Sequence, residues 1–275
     1  MRRLFRHRLA AIGLVIVILV IAMAITSFFW TPYDPFEQDY SVVMVRPGAH
    51  GHLLGTDFLG RDMLSRVMYG ARYTLFIGLV TTSIAVLVGT FLGATSGYLG
   101  GAYDMVISRF LDVVMALPDI ILALAIAATL KPGFVSVIAS VGAVGWRGFA
   151  RLVRAETLKL KEQQYIEAAR ACGAGTGRII LKHVLPNLVP TIIVYASLYT
   201  PVAILVAAAL SFLGIGLQPP SPEWGLFISS GRTYLSFAWW ISTMPGIFLM
   251  LLVLGLNFLG DGLRDALDPR LRGVV

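Results

Sequence analysis

Four long stretches of this chain contain no charged side chain, and each is long enough to cross a lipid bilayer. A membrane-crossing helix needs about 20 apolar residues, because the hydrocarbon layer is about 30 Å thick and each helical residue rises about 1.5 Å. We therefore predict four membrane-spanning helices. They lie within Leu9–Tyr33, Tyr73–Tyr103, Val184–Pro222 and Thr233–Gly260.

Two weaker apolar stretches lie between the second and third of these. One runs from about Ile107 to Leu130 and contains Asp112 and Asp119, and the other runs from about Gly133 to Ala150. A Pro-Gly pair joins them, which favours a tight turn because proline cannot continue a helix. The pattern therefore predicts an all-α membrane protein with six transmembrane helices.

The composition supports a membrane protein and excludes a soluble one. Hydrophobic residues make up 57% of the chain and charged residues 13%, with a mean hydropathy of +0.80. A soluble domain carries about 25% charged residues. The chain has one cysteine, which excludes a disulfide framework and a cysteine cage for a metal, so redox chemistry is not expected.

The distribution of the 22 lysines and arginines predicts the orientation. Positive residues are retained on the cytoplasmic side, and most of them fall in segments that are interior if both termini are cytoplasmic. The basic character is thus explained by topology and needs no nucleic-acid partner. The N-terminal MRRLFRHR imitates a secretory signal, but the apolar run after it continues past Ala24 through Trp30, so we expect an uncleaved anchor.

The longest polar interior segment, residues 151–187, contains a helical pattern of small and aromatic residues. Three- and four-residue spacing places them on one helix face. They are Tyr165, Ala168, Ala169 and Cys172. Gly173 then supplies a stop, because glycine adopts the left-handed conformation readily. This helix is either a docking surface for another protein or part of a solvated loop, and periodicity alone does not decide between them.

Two other patterns concern how helices end and pack. A short helix is predicted from Thr176 to Leu185, ending at Pro186. Gly89, Gly93 and Gly97 repeat at four-residue intervals along one face of the second span. Small residues let membrane helices approach closely, so a packing role is predicted in preference to a role in lining a path.

Ionisable side chains at membrane depth are costly and usually face a cavity or a partner. Asp112 and Asp119 lie two turns apart on one face of the third span. They form either a proton relay, as in a secondary transporter, or a structural arrangement in which Asp112 pairs with Arg109. We favour the Arg109–Asp112 pair. Asp119, which follows a kink at Pro118, is left open as a candidate for a translocation path.

The exterior segments offer weaker signals. Gly214–Trp240 carries three prolines and three tryptophans. Proline argues against a regular helix there and tryptophan prefers the headgroup zone, so the segment is either a shallow external gate or a plain interfacial loop. His50 and His52 are spaced like a weak metal site, but no acidic or thiol ligand is adjacent in the required pattern, so we expect two solvated histidines.

Signatures of catalysis are missing from the chain. No Gly-Lys pair occurs, which excludes a phosphate-binding P-loop, and no Ser-His-Asp or HExxH arrangement is visible. We therefore expect that this chain neither hydrolyses ATP nor acts as an intramembrane enzyme, and that it holds no cofactor.

Several segments resemble one known family. EAARACG, residues 167–173, and HVLPN, residues 183–187, resemble the cytoplasmic loop of the permease subunits of bacterial ATP-binding cassette importers, with His183 at the usual isoleucine position. Four more segments are similar to the peptide and nickel branch of that family. They are HLLGTDFLGRDMLSRVMYGAR (52–72), RFLDVVMALP (109–118), LSFLGIGLQPPSPEWG (210–225) and NFLGDGLRDALDPRL (257–271).

The resemblance implies a bundle like that of type I importer permeases in the bacterial inner membrane. It implies a coupling helix that sits in a groove of an ATPase subunit. The implied coupling residues are Tyr165, Glu167, Ala168, Ala169, Gly173, Leu185 and Pro186. The implied partners are a related second permease that forms a heterodimer with this chain, two ATP-binding subunits, an external solute-binding protein and membrane lipid.

We accordingly divide the chain into four parts. They are an anchor helix (1–33), an extracytoplasmic loop (34–72), a five-helix core (73–260) that includes the coupling loop (151–187), and a cytoplasmic tail (261–275). Uptake of di- or oligopeptides is the favoured function. The alternatives are nickel uptake, which His50 and His52 favour only faintly, and a proton-coupled carrier that uses Asp112 and Asp119.

Overall fold

The computed structural model describes residues 8–267, and in that range the chain is built from helices and loops. The first five helices are α1 (Arg8–Thr26), α2 (Met63–Leu99), α3 (Gly101–Met115), α4 (Asp119–Thr129) and α5 (Phe134–Lys161). The others are α6 (Gln164–Ala171), α7 (Thr176–Ile179), α8 (Leu185–Phe212), α9 (Trp224–Gly231) and α10 (Trp240–Leu267). The predicted basic N-terminus and most of the C-terminal tail lie outside the described residues.

Four continuous helical stretches are long and apolar enough to cross a membrane. They are α1, α2, the stretch Thr176–Phe212 that contains α8, and α10. A fifth results if α3 and α4, which meet at an angle of 92°, form one broken span. Within the described part of the chain α5 is not among them, since it carries three arginines, Arg147, Arg151 and Arg154. The all-α membrane fold is confirmed, while the count of six spans stays a prediction.

Helix α2 begins at Met63, well before the predicted start at Tyr73, and it is 37 residues long. Asp62 caps its first turn, because the carboxylate accepts hydrogen bonds from the backbone N–H and the hydroxyl of Ser65, both at 2.7 Å. The charge-free criterion missed this turn because Arg66 is buried within it, where its guanidinium lies 4.5 Å from the ring of Phe227.

The long seam between α2 and α5 confirms the predicted packing role of the glycine stripe. A Cβ atom on Gly93 would stand 2.5 Å from the carbonyl oxygen of Ala150, and one on Gly97 would stand 2.9 Å from that of Arg154. Gly89 meets α5 equally closely at Trp146. The two backbones therefore touch along three turns, which is the close approach that small residues permit in membrane helices.

The third predicted span, from Ile107 to Leu130, is not one helix. Helix α3 ends at Met115, α4 begins at Asp119, and we call the intervening residues 116–118 the elbow. Pro118 lacks an N–H donor and disfavours helical conformation in the residue before it. The kink expected at this proline is therefore a full break of 92°. Pro118 cannot donate to the carbonyl of Val114, which instead accepts the N–H of Leu117 at 3.4 Å.

The predicted helix end at Pro186 is wrong, because the chain stays helical from Thr176 to Phe212. Residues Ile180–Val184 form a π turn, in which the N–H of Leu185 bonds to the carbonyl of Ile180. The wider turn lets the helix pass a proline, which has no N–H to donate, at the start of α8.

The proline-rich segment Gly214–Trp240 contains a short helix, α9, which the sequence argument did not expect. Glu223 caps it by accepting the N–H groups of Gly225 and Leu226, both at 2.9 Å. Burial raises the pKa of the Glu223 carboxyl above its ordinary value, and the two N–H donors oppose that rise.

Two of the three tryptophans in this segment are buried inside the protein, and each has a hydrogen-bond partner there. The indole of Trp224 donates to the carbonyl of Val67 at 3.0 Å, and that of Trp240 donates to the carbonyl of Thr56 at 3.0 Å. Both rings bury a large apolar body and satisfy their N–H, as buried tryptophans usually do. Trp239 remains half-exposed.

The loop between α1 and α2 has a polar core that the sequence did not reveal. His52 is buried and its Nδ1 lies 2.9 Å from Asp62, so the expectation of two solvated histidines is wrong for this one; His50 is exposed. Asp57 pairs with Arg61 at 2.7 Å. Within the described residues no group of three His, Cys, Asp or Glu side chains is placed to hold a metal ion.

Gly93→Ala tests the seam. The added methyl group meets the α5 backbone, which cannot move aside as a side chain can, so we expect the free energy of unfolding to fall by about 1–3 kcal/mol. The midpoint of thermal unfolding in detergent measures it.

Gly246→Ala in α10 is the matched control, because its Cβ would meet nothing closer than an atom of Ile228 at 4.0 Å. Surface-like substitutions change stability by roughly 0.5 kcal/mol or less. Equal losses in the two variants would contradict the close contact at Gly93.

Candidate functional site

Helix α6 carries four of the seven predicted coupling residues, and its main apolar contact with the bundle is one side chain. Ile166 is fully buried, while its neighbours Tyr165 and Glu167 are exposed. Ile166 packs into a group that we call the anchor cluster. Its buried members are Ala94, Tyr98, Val153, Ile166, Ile179, Ile180, Val184 and Leu188. The cluster thus joins α6 to α2, α5 and the long helix that contains α8.

The opposite face of α6 is free to meet another molecule. Tyr165, Glu167 and Ala168 are exposed and Ala169 is half-buried, and we call these four residues the coupling surface. Four of the seven predicted coupling residues therefore lie together on one short helix. Cys172, the free thiol of the chain, lies exposed just after its end.

Gly173 ends α6 as predicted, and the reason is conformational. Its φ is +80°, which an L side chain rarely adopts, and no atom lies within 4 Å of the position of a Cβ. The N–H of Gly173 bonds to the carbonyl of Arg170, and the N–H of Ala174 bonds to that of Ala169, both at 3.0 Å. These bonds satisfy carbonyls at the end of the helix.

The anchor cluster connects Leu185 with Ile166 of α6, although the two residues are well separated along the chain. Leu185 is half-buried and packs against the anchor cluster, whereas Pro186 is exposed. Sequence reasoning missed Ile166, the residue that makes this connection. The sequence did contain an indication that this residue is buried, since Ile166 is the one branched aliphatic side chain in QYIEAARA.

A second link ties α6 to the end of α2. The guanidinium of Arg170 donates to the hydroxyl of Tyr98 at 3.4 Å, and Lys161 at the end of α5 lies 5.9 Å from the same ring. Tyr98 itself is buried in the anchor cluster. Displacement of α6 therefore acts on the same end of α2 through both an apolar and a polar contact.

The other candidate region is a cleft of about 300 Å³ beside the elbow. It lies between α5 and α8, and Asp119 stands at its edge. Two tyrosines of α8 line it, and each lies directly against a glycine of α5: Tyr199 against Gly145 and Tyr195 against Gly148. Neither hydroxyl has a hydrogen-bond partner among residues 8–267, so both are available to a molecule in the cleft.

Arg147 closes the break between α3 and α4 from the side of the cleft. Its guanidinium donates to the carbonyls of Val114 and Leu117 and to the Asp119 carboxylate, the last at 2.5 Å. The arginine is buried, with 4% of its side chain exposed, whereas 60% of the Asp119 side chain is exposed. One basic side chain of α5 therefore holds both ends of the elbow and leaves the carboxylate facing outwards.

The preferred pairing of Asp112 with Arg109 is wrong. Asp112 bonds instead to Arg151 of α5 at 2.7 Å, and both side chains are about half exposed. The pair lies across two helices, which spacing along one helix does not reveal. The elbow also places Asp112 and Asp119 on separate helices, each bound to its own arginine, which does not match a relay along one helix face.

A further ion pair was missed altogether. Arg154 donates two hydrogen bonds of 2.6 Å to Asp104 at the start of α3, and Ser96 of α2 donates a third at 3.0 Å. Three helices thus meet at one carboxylate beside the anchor cluster. Asp104 follows a Gly-Gly pair and lies in the first turn of a helix. A carboxylate is favourable at that position, but the position does not predict which residue pairs with it.

Comparison with known protein families gives two matches. Residues 85–273 match the family described as "Binding-protein-dependent transport system inner membrane component". Residues 1–47 match the family described as "N-terminal TM domain of oligopeptide transport permease C".

Among curated proteins, relatives cover nearly the whole chain. The chain is 42% identical over 277 residues to the "Di/tripeptide transport system permease protein DppC" of Pseudomonas aeruginosa, which covers 98% of this chain and 91% of that protein. It is 38% identical over 270 residues to the "Oligopeptide transport system permease protein OppC" of Haemophilus influenzae, with 98% and 87% covered. It is 41% identical over 272 residues to the "Glutathione transport system permease protein GsiD" of Pectobacterium atrosepticum, with 98% and 90% covered.

Among solved structures, the chain is similar to a chain of the inward-facing MetNI methionine ABC transporter. The TM-score is 0.59 at 20% sequence identity, and the match covers 75% of this chain and 98% of that one. An amino acid ABC transporter gives a TM-score of 0.54 at 16% identity, over 71% of this chain and 91% of that one. At these identities the likeness concerns the fold.

Arg147→Met tests the closure of the elbow. It leaves the carbonyls of Val114 and Leu117 without the guanidinium donor and removes the partner of the exposed Asp119, so we expect a loss of about 1–3 kcal/mol in the free energy of unfolding. Thermal unfolding of the purified protein in detergent measures the loss.

Arg151→Met is the matched control, one turn further along α5. It also removes an arginine from an ion pair, but an exposed one, and should cost about 1 kcal/mol or less. A loss in Arg151→Met as large as in Arg147→Met would refute the role assigned to burial at the elbow.

Proposed function

Because the chain belongs to the family of binding-protein-dependent transport system inner membrane components, we propose that it is the permease subunit through which an ATP-driven importer moves di- or oligopeptides into the cell. The observation that carries the substrate class is the near full-length similarity to peptide permeases. The chain is a multi-pass protein of the inner membrane.

Importers of this family work with ATPase subunits and a substrate-binding protein. This chain has no P-loop, so hydrolysis must take place in another subunit. We propose two ATP-binding subunits on the cytoplasmic side, an external binding protein, and a related second permease that completes the path. The chain itself is expected to need no cofactor.

We propose that the coupling surface, Tyr165, Glu167, Ala168 and Ala169, docks into a groove of an ATPase subunit. Leu185, Pro186 and Gly173 shape the surrounding loop. Support comes from the geometry of α6, which is exposed on one face and anchored by Ile166 on the other. A helix held in this way moves with the bundle as a rigid body, so that ATP binding biases the same global state of the permease.

We propose that the cleft beside the elbow lines the translocation path, with Pro118 creating the break and Asp119 exposed at its edge. A peptide carries N–H and C=O groups that need partners when they leave water. The exposed carboxylate of Asp119 and the hydroxyls of Tyr195 and Tyr199 supply such partners. Their arrangement favours a polar solute.

The alternatives receive less support. Nickel uptake rested on His50 and His52, and the latter is engaged with Asp62. A proton-coupled carrier rested on Asp112 and Asp119, and each of these is paired with an arginine of α5. The division into anchor (1–33), loop (34–72), core (73–260) and tail (261–275) is retained as a proposal, although residues 63–72 already belong to α2 and residues 261–267 to α10.

Reconstitution of the complete transporter tests the proposed function. We expect proteoliposomes that contain both permeases and both ATPases to accumulate a labelled dipeptide only with ATP inside and binding protein outside. ATP hydrolysis should rise several-fold when the binding protein is loaded with peptide. Uptake by this chain alone, abolished by a protonophore, would instead establish a proton-coupled carrier.

Glu167→Arg tests the coupling surface. It reverses a charge on the exposed face of α6 without touching the buried Ile166, so we expect the assembled complex to lose ATPase subunits and transport while the permease stays folded. Co-purification of the ATPase measures the loss.

Glu162→Arg is the matched control, because Glu162 is also exposed and lies at the end of α5 just before α6. It should leave assembly intact. If Glu167→Arg retains the ATPase as fully as Glu162→Arg does, the coupling surface is misplaced.

A further inference from the structure

A groove of about 700 Å³ runs along the outside of the bundle, between α1 and α2 with α8 at its floor. It is distinct from the cleft beside the elbow. Its walls are almost wholly aliphatic and aromatic, with Ile21 and Ile25 on α1 facing Phe76 and Leu79 on α2. An apolar groove on a membrane protein is filled by lipid or by another protein, since neither water nor empty space is stable there.

One basic side chain stands at the rim of this groove. The Nε of Arg72 donates to the hydroxyl of Ser27 at 2.6 Å, and its guanidinium lies 3.8 Å from the ring centre of Phe28 and 4.1 Å from that of Tyr69. No acidic side chain in residues 8–267 pairs with Arg72. Two ring faces and one hydroxyl hold the guanidinium in place and leave its terminal nitrogens without acceptors, which suits an external anion.

The position of Arg72 along the membrane normal is marked by its neighbours. Helix α1 ends at Thr26, and Phe28, Phe29 and Trp30 follow with 66%, 86% and 61% of their surface exposed. An exposed tryptophan at the end of a span, here Trp30, lies at the headgroup level. Arg72, in contact with Ser27 and Phe28, therefore lies where lipid phosphates are found.

The length of the groove distinguishes a lipid chain from a protein helix. Along α1 the lining runs from Phe28 to Val17, which is about 16 Å at 1.5 Å per residue. This is half of the hydrocarbon layer of about 30 Å. Below it, α1 is closed against α10, since a Cβ on Gly13 would stand 2.6 Å from the carbonyl of Gly255. A transmembrane helix of a partner needs a contact along the whole thickness, whereas an acyl chain of one leaflet needs half.

We propose that this groove binds one phospholipid, with an acyl chain between α1 and α2 and the phosphate on the guanidinium of Arg72. The phosphate accepts charge-assisted hydrogen bonds from the free terminal nitrogens. The acyl chain covers the apolar surface of α2 and α8 that helix α1 leaves exposed. The bound lipid joins the anchor helix to the core of the permease.

The part of the site that holds the acyl chain is tested by filling the groove. Leu79→Trp places a large ring among the lining residues, and Leu87→Trp is its matched control, because both leucines lie on α2 with 66% and 70% of their surface exposed but only Leu79 lines the groove. The assembled transporter is stripped with detergent and incubated with palmitoyl-oleoyl phosphatidylglycerol. Native mass spectrometry counts the retained lipids. We expect one fewer in Leu79→Trp than in the control.

The phosphate half is tested at the rim. Arg72→Gln should weaken retention about fivefold, the effect of one basic residue near a membrane surface, and Arg72→Lys should restore part of it. Diacylglycerol with the same chains, which lacks the phosphate, should be retained as weakly by the wild-type complex. Equal retention of phosphatidylglycerol and diacylglycerol would overturn the role of Arg72.

Two outcomes would overturn the proposal as a whole. One is an equal lipid count in Leu79→Trp and Leu87→Trp. The other is loss of the second permease from Leu79→Trp with no change in lipid, which would make the groove a subunit contact. Neither outcome bears on the peptide substrate, so the test is independent of the proposed function.

Discussion

Backbone groups in a bilayer find no water to bond with, so every interruption of a helix there needs its own remedy. This chain is interrupted twice in the segments for which we propose a function. At the elbow, Arg147 reaches from α5 to carbonyls beside the break at Pro118. At the start of α8, a π turn widens the helix just before Pro186, which has no N–H to donate. The first remedy places Asp119 beside the cleft, and the second places the anchor cluster against α6.

The seam between α2 and α5 connects these two regions. Its glycines bring the helices into backbone contact, and α5 carries Arg147 towards the elbow and Arg154 towards the anchor cluster. Since packed interiors deform little, α2 and α5 are expected to move as one unit. Movement at α6 and rearrangement at the elbow are then two ends of the same displacement.

Local features of this fold could be predicted from sequence, whereas pairings between distant residues could not. Charge-free runs predicted α1, α8 and α10. The four-residue glycine spacing predicted close packing of α2, and Gly173 predicted the end of α6. Each depends on residues within a few turns. The partner of Asp112 is 39 residues away in the chain and that of Trp224 is 157 away. Periodicity carries no information about such contacts, and the charge criterion overlooked the arginines that lie buried within helices.

Cys172 is the one thiol in the chain, and it lies exposed beside the last turn of α6. A fluorescent dye or spin label attached there reports from the place where the ATPase is proposed to dock, and no native cysteine of this subunit has to be removed first. The natural sequence thus supplies its own single reporter position for following that encounter in real time.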